Sequence, residues 1–385
     1  MFKSIKYICL YIILGYIMLS CSRIKDVNEK TTIDIAKIQE VNIFDLFDSI
    51  RINAMQTDNS CQISQIRKII YWDKELYVFD KKQKAILIFK TNGEFSRKIH
   101  NIGKGPGEYL NIEDFTLNPY NRNIEFVDGY NLYVYKNDGQ FINKVRIANN
   151  EIKSCNEIMI MNSDTIVFTG PSRKNIITLY SRKNQKAHNI QEIYPSWIKE
   201  KMPVNPNVRF YRNGSIVNYL EGFSNKVYSV NSNGFTIKYE WDFGKYNFNF
   251  EKQELSNLIQ SSSLKEIMNN FESFTSKYVI QFTHNVENNT YILTDFLLKG
   301  IPATLIYNKV NKKYLVFNGE LSNLIFSSQI EFIGEDKLII VIDPIKIKNL
   351  PKNWFSKTNQ EIINELNISS NPIILKLNIK KSLLQ

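Results

Sequence analysis

LYVFDKKQKAILIFKTNGEFSRKI, running from Leu76 to Ile99, decides the fold because its pattern recurs along the chain. A short apolar strand ends in Asp80, a second apolar strand runs into the polar turn Thr91-Asn92-Gly93, and another strand starts at Glu94. Asn-Gly suits the φ > 0 positions of tight hairpin turns. The strand ending in Asp returns as Ile124 to Asp128, Ile292 to Asp295 and Ile339 to Asp343, while Ile166 to Gly170 and Val217 to Glu221 fill the same slot with other residues. The six anchors, Asp80, Asp128, Gly170, Glu221, Asp295 and Asp343, are spaced by 48, 42, 51, 74 and 48 residues. A polar turn follows each in register: after the first come Asn137-Asp138-Gly139, Lys183-Asn184-Gln185, Ser232-Asn233-Gly234, Asn311-Lys312-Lys313 and Asn378-Ile379-Lys380. Short strands and turns repeated at a near-constant period read as propeller blades.

Each blade needs a fourth, outer strand. Glu94 to Ile99, Gln140 to Ile147, Ala187 to Ile193, Phe235 to Trp241 and Tyr314 to Phe317 supply five of them. After the sixth turn only Ser382 to Gln385 remains, too little for a strand. The alternating run Leu46 to Asn53 is expected to pair with Ile373 to Leu377, closing the ring and removing an open edge. The spacing of 74 marks an insertion, where Leu255, Leu258, Ile259, Ile267, Met268 and Phe271 recur at helical intervals. A second insertion, Lys346 to Ser370, carries a capping-box pattern from Thr358 to Glu361. A third loop, Tyr194 to Asn207, holds Trp197 and three prolines, which argue against regular structure. The expected fold class is an all-β, six-bladed β-propeller, its last blade closed by the N-terminal strand, with short helical insertions in the late blades.

The N-terminus is read separately. Met1 to Lys6 is basic, and Tyr7 to Leu19 is an apolar run that suits a signal-peptide core and is short for a membrane span. Met18-Leu19-Ser20-Cys21 follows the lipobox pattern, with Met18 and Leu19 departing from the preferred residues. The expected organisation is a signal peptide over 1–20, a lipidated Cys21 and tether over 21–40, and the propeller over 41–385. Several acyl chains on Cys21 would anchor the chain to a membrane at about 0.8 kcal/mol per buried methylene. Plain cleavage and secretion is the alternative. Cys61 and Cys155 then remain, and their assignment to non-adjacent blades predicts two free thiols rather than a disulfide.

The chain has 385 residues, 43% of them hydrophobic and 13% aromatic, enough for a large core. Its formal charge of +11 is scattered, with no dense basic block, so nucleic acid is not an expected partner. The run Gly103-Lys-Gly-Pro-Gly-Glu-Tyr109 could cradle phosphate, but a phosphate loop opens a helix and ends in Lys-Ser or Lys-Thr. Here a strand follows, so the run reads as a linker between blades. His100, His188 and His284 fall far apart, against a three-histidine metal centre. The strand-end aspartates could ring a cation, yet their repetition favours carboxylates that accept turn amides. No metal and no cofactor is expected.

The run from Asp80 through Phe95, Gly103 to Tyr109, Asp114-Phe115, Asp128 and Asn137 to Phe141 resembles the six-bladed propeller lipoproteins of Bacteroidetes, and is similar to NHL-type repeats. Asn111-Ile112-Glu113 stands where NHL repeats usually place proline, so that second likeness is loose. The resemblance is close over about residues 40 to 147 and is one of period beyond that. It implies a propeller at the cell envelope, here an outer-membrane lipoprotein, and carries over no catalytic residues. The functional expectation is a binding scaffold rather than an enzyme, because binding residues concentrate on loops held by a rigid frame. Lys104, Glu108, Tyr109 and Trp197 are the candidate binding-loop residues for a protein, peptide or glycan partner. The competing expectation is a lyase or hydrolase with its site in the central channel.

Overall fold

The computed structural model describes residues 29–147, 154–170, 176–192, 208–221, 224–232, 234–249, 276–280 and 282–383, with isolated positions 257, 263 and 266. The signal segment, Cys21, Trp197 and nearly all of the Phe250 to Asn270 insertion lie outside these residues.

Three short strands and a helical turn lead in: β1 (Glu29–Thr32), β2 (Gln39–Glu40), α1 (Ile43–Leu46) and β3 (Phe47–Ala54). Blade one is β4 (Ile66–Trp72), β5 (Glu75–Asp80), β6 (Ala85–Lys90) and β7 (Phe95–Ile99). Blade two is β8 (Asp114–Leu117), β9 (Ile124–Val127), β10 (Asn131–Tyr135) and β11 (Phe141–Arg146). Blade three is β12 (Ile158–Ile160), β13 (Thr165–Thr169), β14 (Ile176–Ser181) and β15 (Lys186–Glu192). Blade four is β16 (Val208–Asn213), β17 (Ile216–Glu221), β18 (Lys226–Asn231) and β19 (Gly234–Asp242). Blade five has β20 (Val279–Ile280), then the inner strand β21 (Asn285–Glu287), β22 (Tyr291–Leu298), β23 (Ile301–Asn308) and β24 (Tyr314–Asn318). Helix α2 (Glu320–Phe326) leads to blade six, made of β25 (Gln329–Phe332), β26 (Lys337–Ile342), helices α3 (Pro344–Lys348) and α4 (Lys357–Glu365), and β27 (Ile373–Ile379). The protein is a six-bladed β-propeller.

Burial follows strand position. The middle strands β5 and β6 are buried almost end to end, because each face meets a neighbouring blade or the strands beside it. The outer strands β7 and β11 alternate or stay open, since one face looks to water. Each fully buried Phe or Leu contributes about 1.5–3 kcal/mol. Between blades one and two the rings interlock: Phe126 stacks on Tyr133 and Tyr135, and Tyr109 meets Phe126 edge-on at 4.8 Å between centroids.

The closing strand forms as expected. β3 pairs antiparallel with β27, Leu375 facing Ile52, so the sixth blade is completed by the start of the chain. Ahead of it, β1 lies parallel on the outer edge of β19 and β2 parallel on that of β24. The lead-in thus visits blades four, five and six in turn. It is tied down: Glu29 accepts from Tyr307 and Lys312, Lys30 pairs with Asp242 at 3.0 Å, and Ile33 is buried. Residues 29–40 belong to the folded rim, so the propeller begins earlier than the boundary at 41. Edge backbone groups of β19 and β24 would otherwise be unpaired, which is why so polar a segment adopts strand geometry.

Smaller differences concern helix ends and thiols. The cap of α4 is Ser356, whose Oγ accepts from Asn359 N, two residues ahead of the expected Thr358. Cys61 and Cys155 are both buried and free. Cys61 lies in the turn ahead of β4, donating to Gln56 O at 3.2 Å.

Candidate functional site

The six inner strands surround a cavity of about 350 Å³. Every blade contributes to its wall: Lys68 from β4, Asp114 from β8, Met159 from β12, Arg212 from β16, Asn285 from β21 and Glu331 from β25. In sequence these are spread over more than 260 residues; ring closure alone brings them together.

Most charge in the wall is spent on holding blades together. Lys68 Nζ lies 2.9 Å from both carboxylate oxygens of Asp114 and donates to Phe115 O at 2.9 Å. Asp114 also accepts from Ile158 N at 3.0 Å, so blades one, two and three share one carboxylate. Arg67 and Glu157 approach to 3.8 Å. Glu287 accepts five donors: Tyr211 Oη at 3.1 Å, Asn213 Nδ2 at 2.7 Å, Lys238 Nζ at 3.1 Å, Tyr239 Oη at 3.0 Å and Lys309 Nζ at 2.9 Å. Burial pushes its carboxyl up, but Lys238 and Lys309 outweigh that and hold it below the usual carboxylate range. His284 Nδ1 lies 2.7 Å from Asp295 Oδ2, and the wholly buried Asp295 also accepts from His284 N at 2.7 Å.

Among the described residues, two groups in the wall are not satisfied and a third, Glu331, has no ion pair. Asn285 is only 7% exposed, and neither its amide nitrogen nor its amide oxygen has a hydrogen-bond partner. Arg212 donates through Nη1 to Gly214 O at 3.3 Å, while its buried Nη2 has no acceptor. Burial lowers the Arg212 pKa, opposed by the Tyr120 phenol. Glu331 forms no ion pair within 4 Å among the described residues; burial pushes its carboxyl up to about 8, with Lys68 pulling the other way. Buried polar groups are nearly always hydrogen-bonded, so such a cluster in one cavity marks a place where a ligand or water completes the structure.

The loop residues singled out from the sequence sit elsewhere. Lys104 is exposed on the linker between β7 and β8, and Glu108 folds back to accept from Gly105 N at 2.7 Å. Gly107 has φ +76°, and a Cβ there would stand 2.7 Å from the Phe141 ring, so this linker needs glycine for its path. Tyr109 requires correction: its ring is 1% exposed and its hydroxyl donates to Lys84 O and Ile99 O, so it is a core residue between blades and is closed to a surface ligand. An aromatic after a glycine run faces the interior here because the linker must cover the gap between two blades. Trp197 and Cys21 fall outside the described residues. None of Lys104, Glu108 and Tyr109 lines the channel.

Of the four strand-end aspartates expected to act on turns, three do, while Asp295 stands inside β22 and holds His284. Asp80 accepts from Ser64 N and Gln83 N, Asp128 from Tyr130 N and Asn131 N, and Asp343 from Ile345 N. The channel groups were missed because their strands were read only for period. The sequence signal was weak: VRFYRN, NVE and QIEF mix polar and apolar residues, unlike the apolar runs of β5 and β6, and nothing in them singles out Arg212, Asn285 or Glu331.

No curated protein matches the sequence. Among solved structures, a Bacteroides fragilis protein described as exported superposes with a TM-score of 0.69 at 15% identity, covering 92% of this chain and 99% of that one. A member of the DUF4221 family from Bacteroides vulgatus gives a TM-score of 0.55 at 11% identity, over 87% and 97% of the two chains. At such identities the likeness is one of fold. The model of a domain of unknown function, DUF4934, matches residues 30–378, nearly the whole propeller, and the chain belongs to that family.

Proposed function

We propose that the chain is an exported, lipid-anchored binding protein that holds a small polar ligand in the central channel of its propeller. The observation that carries this reading is Asn285, a buried amide on the channel wall with both polar atoms unpartnered. A rigid frame of six blades holds that wall in place, which keeps the ordering cost of binding low. The basic and apolar start of the chain, the Ser20-Cys21 junction and a fold neighbour described as exported support the envelope location. A face on the outer membrane is part of the same proposal, as is a membrane contact through Cys21. The channel is preferred over the inter-blade loops because Tyr109 is buried and Glu108 is engaged within its own loop.

Two experiments test this. Cys21→Ala should release the protein from membranes and abolish labelling by a fatty-acid analogue; labelling that persists rules out the anchor. A thermal-shift screen of amino acids, organic acids and sugars should find a ligand whose stabilisation disappears in Asn285→Leu. A ligand whose effect survives that substitution sits outside the channel.

A second reading has one observation in its favour. His284, oriented by Asp295, lines the same cavity as Glu331, whose carboxyl holds its proton near neutral pH. A base and an acid in one channel suit elimination or hydrolysis. Turnover of a screened ligand that His284→Ala abolishes would favour this enzyme.

A further inference from the structure

Among the described residues of the channel wall, every cation but one has a carboxylate within 4 Å. Lys68 faces Asp114 at 2.9 Å, Arg67 faces Glu157 at 3.8 Å, and Lys238 and Lys309 share Glu287. Arg212 has no carboxylate within 4 Å among the described residues, and its Nη2 has no acceptor of any kind. Its surroundings disfavour the charge and offer only a carbonyl and the Tyr120 phenol in return. A buried cation left in that state is costly, and a guanidinium is the side chain whose planar fork fits a carboxylate.

We propose that the channel holds a small molecule bearing a single carboxylate, with the Arg212 guanidinium as its counter-ion and the Asn285 amide as a second donor. This rests on the channel being a binding site. Arg212 and Asn285 stand on the neighbouring inner strands β16 and β21 and line the same cavity, Arg212 on the face of β16 opposite to that of Tyr211 and Asn213, which bond Glu287. Glu331 adds a donor rather than a repelling charge while it is protonated. One negative charge matches Arg212, the one cation of the wall without a carboxylate among the described residues. A dianion such as phosphate would outnumber it and would face Asp114, Glu157 and Glu287 in the same wall. Phe210, Leu117, Met159 and Ile330 supply apolar wall for the body of an organic acid. At about 350 Å³ the cavity suits a small molecule rather than a polymer.

Calorimetric titration of the full chain in neutral detergent tests this, with acetate, hexanoate, benzoate and 3-phenylpropionate against their primary amides, inorganic phosphate and glucose. The expected result is that at least one carboxylate binds about tenfold or more tighter than its amide and than phosphate. Arg212→Gln should remove about tenfold or more of that affinity while leaving the amide's unchanged, and Arg212→Lys should restore part of it. Should Arg212→Gln fail to fold, the acid-to-amide ratio on the unaltered chain decides. Equal binding of acid and amide, or preference for glucose, with loss in Asn285→Leu keeps the channel as the site and overturns the carboxylate. Binding that survives both Arg212→Gln and Asn285→Leu overturns the channel itself. No binding of any probe at millimolar concentration overturns both.

Discussion

Asn285 and Glu287 stand two residues apart on β21, so their side chains leave the same face of one strand, yet their fates are opposite. Glu287 collects five donors from blades four and five and is saturated. Asn285 collects none, although it is as deeply buried. The difference teaches how to tell structure from site in this channel. A buried carboxylate with two lysines and three further donors joins blades; removing it strands charges. A buried amide with nothing to bond gains the fold nothing, so its reason must lie in what enters the cavity.

The strongest way to break that comparison is to remove Glu287. Glu287→Ala leaves the half-buried Lys238 and Lys309 without their carboxylate and should cost about 3 kcal/mol in urea unfolding. A cost below about 1 kcal/mol would mean the network is decoration, and the contrast with Asn285 would fall.

A second test uses pH, because two carboxyls of the channel shift in opposite directions. Glu287 is held below the usual range, so its contribution is present above the unfolded value of about 4.5 and is lost as pH falls below it. Glu331 is raised to about 8, so the folded state binds more protons than the unfolded between about 4.5 and 8, and stability should fall as pH rises through that window. Glu331→Gln should flatten the fall of the melting temperature between about pH 4.5 and 8 and leave the limb below about pH 4.5 intact. An unchanged slope between about pH 4.5 and 8 would show that Glu331 does not carry it.

The smallest effect is expected at Asn285. With no partner to lose, Asn285→Leu should change stability in the absence of ligand by less than about 1 kcal/mol, and in the stabilising direction if its apolar bulk packs. A loss of more than about 2 kcal/mol would place Asn285 with Glu287 as a structural group.

Legibility differed by region for physical reasons. The blades were readable because a strand packed on both faces needs an apolar run and a tight turn needs Asn-Gly, as in Leu76–Gly93, where Gly93 takes φ +95°. The closing strand β3 was readable for the same reason, through its alternation. β1 and β2 were not: Glu-Lys-Thr-Thr and Gln-Glu have no strand signature and become strands only because β19 and β24 present unpaired edges. Tyr109 read as a binding aromatic because exposure is not written in a residue type; its burial depends on two blades meeting around it.

By itself, then, the sequence determined six repeats, their strand and turn positions, and the pairing that closes the ring, since each depends on residues within one repeat or on which repeat lacks a strand. The tertiary structure alone decided which polar side chains share the channel. Lys68, Asp114, Arg212, Asn285 and Glu331 come from five different blades. Whether each is paired or left open depends on distances of a few ångströms across a closed ring, and no local pattern encodes such a distance.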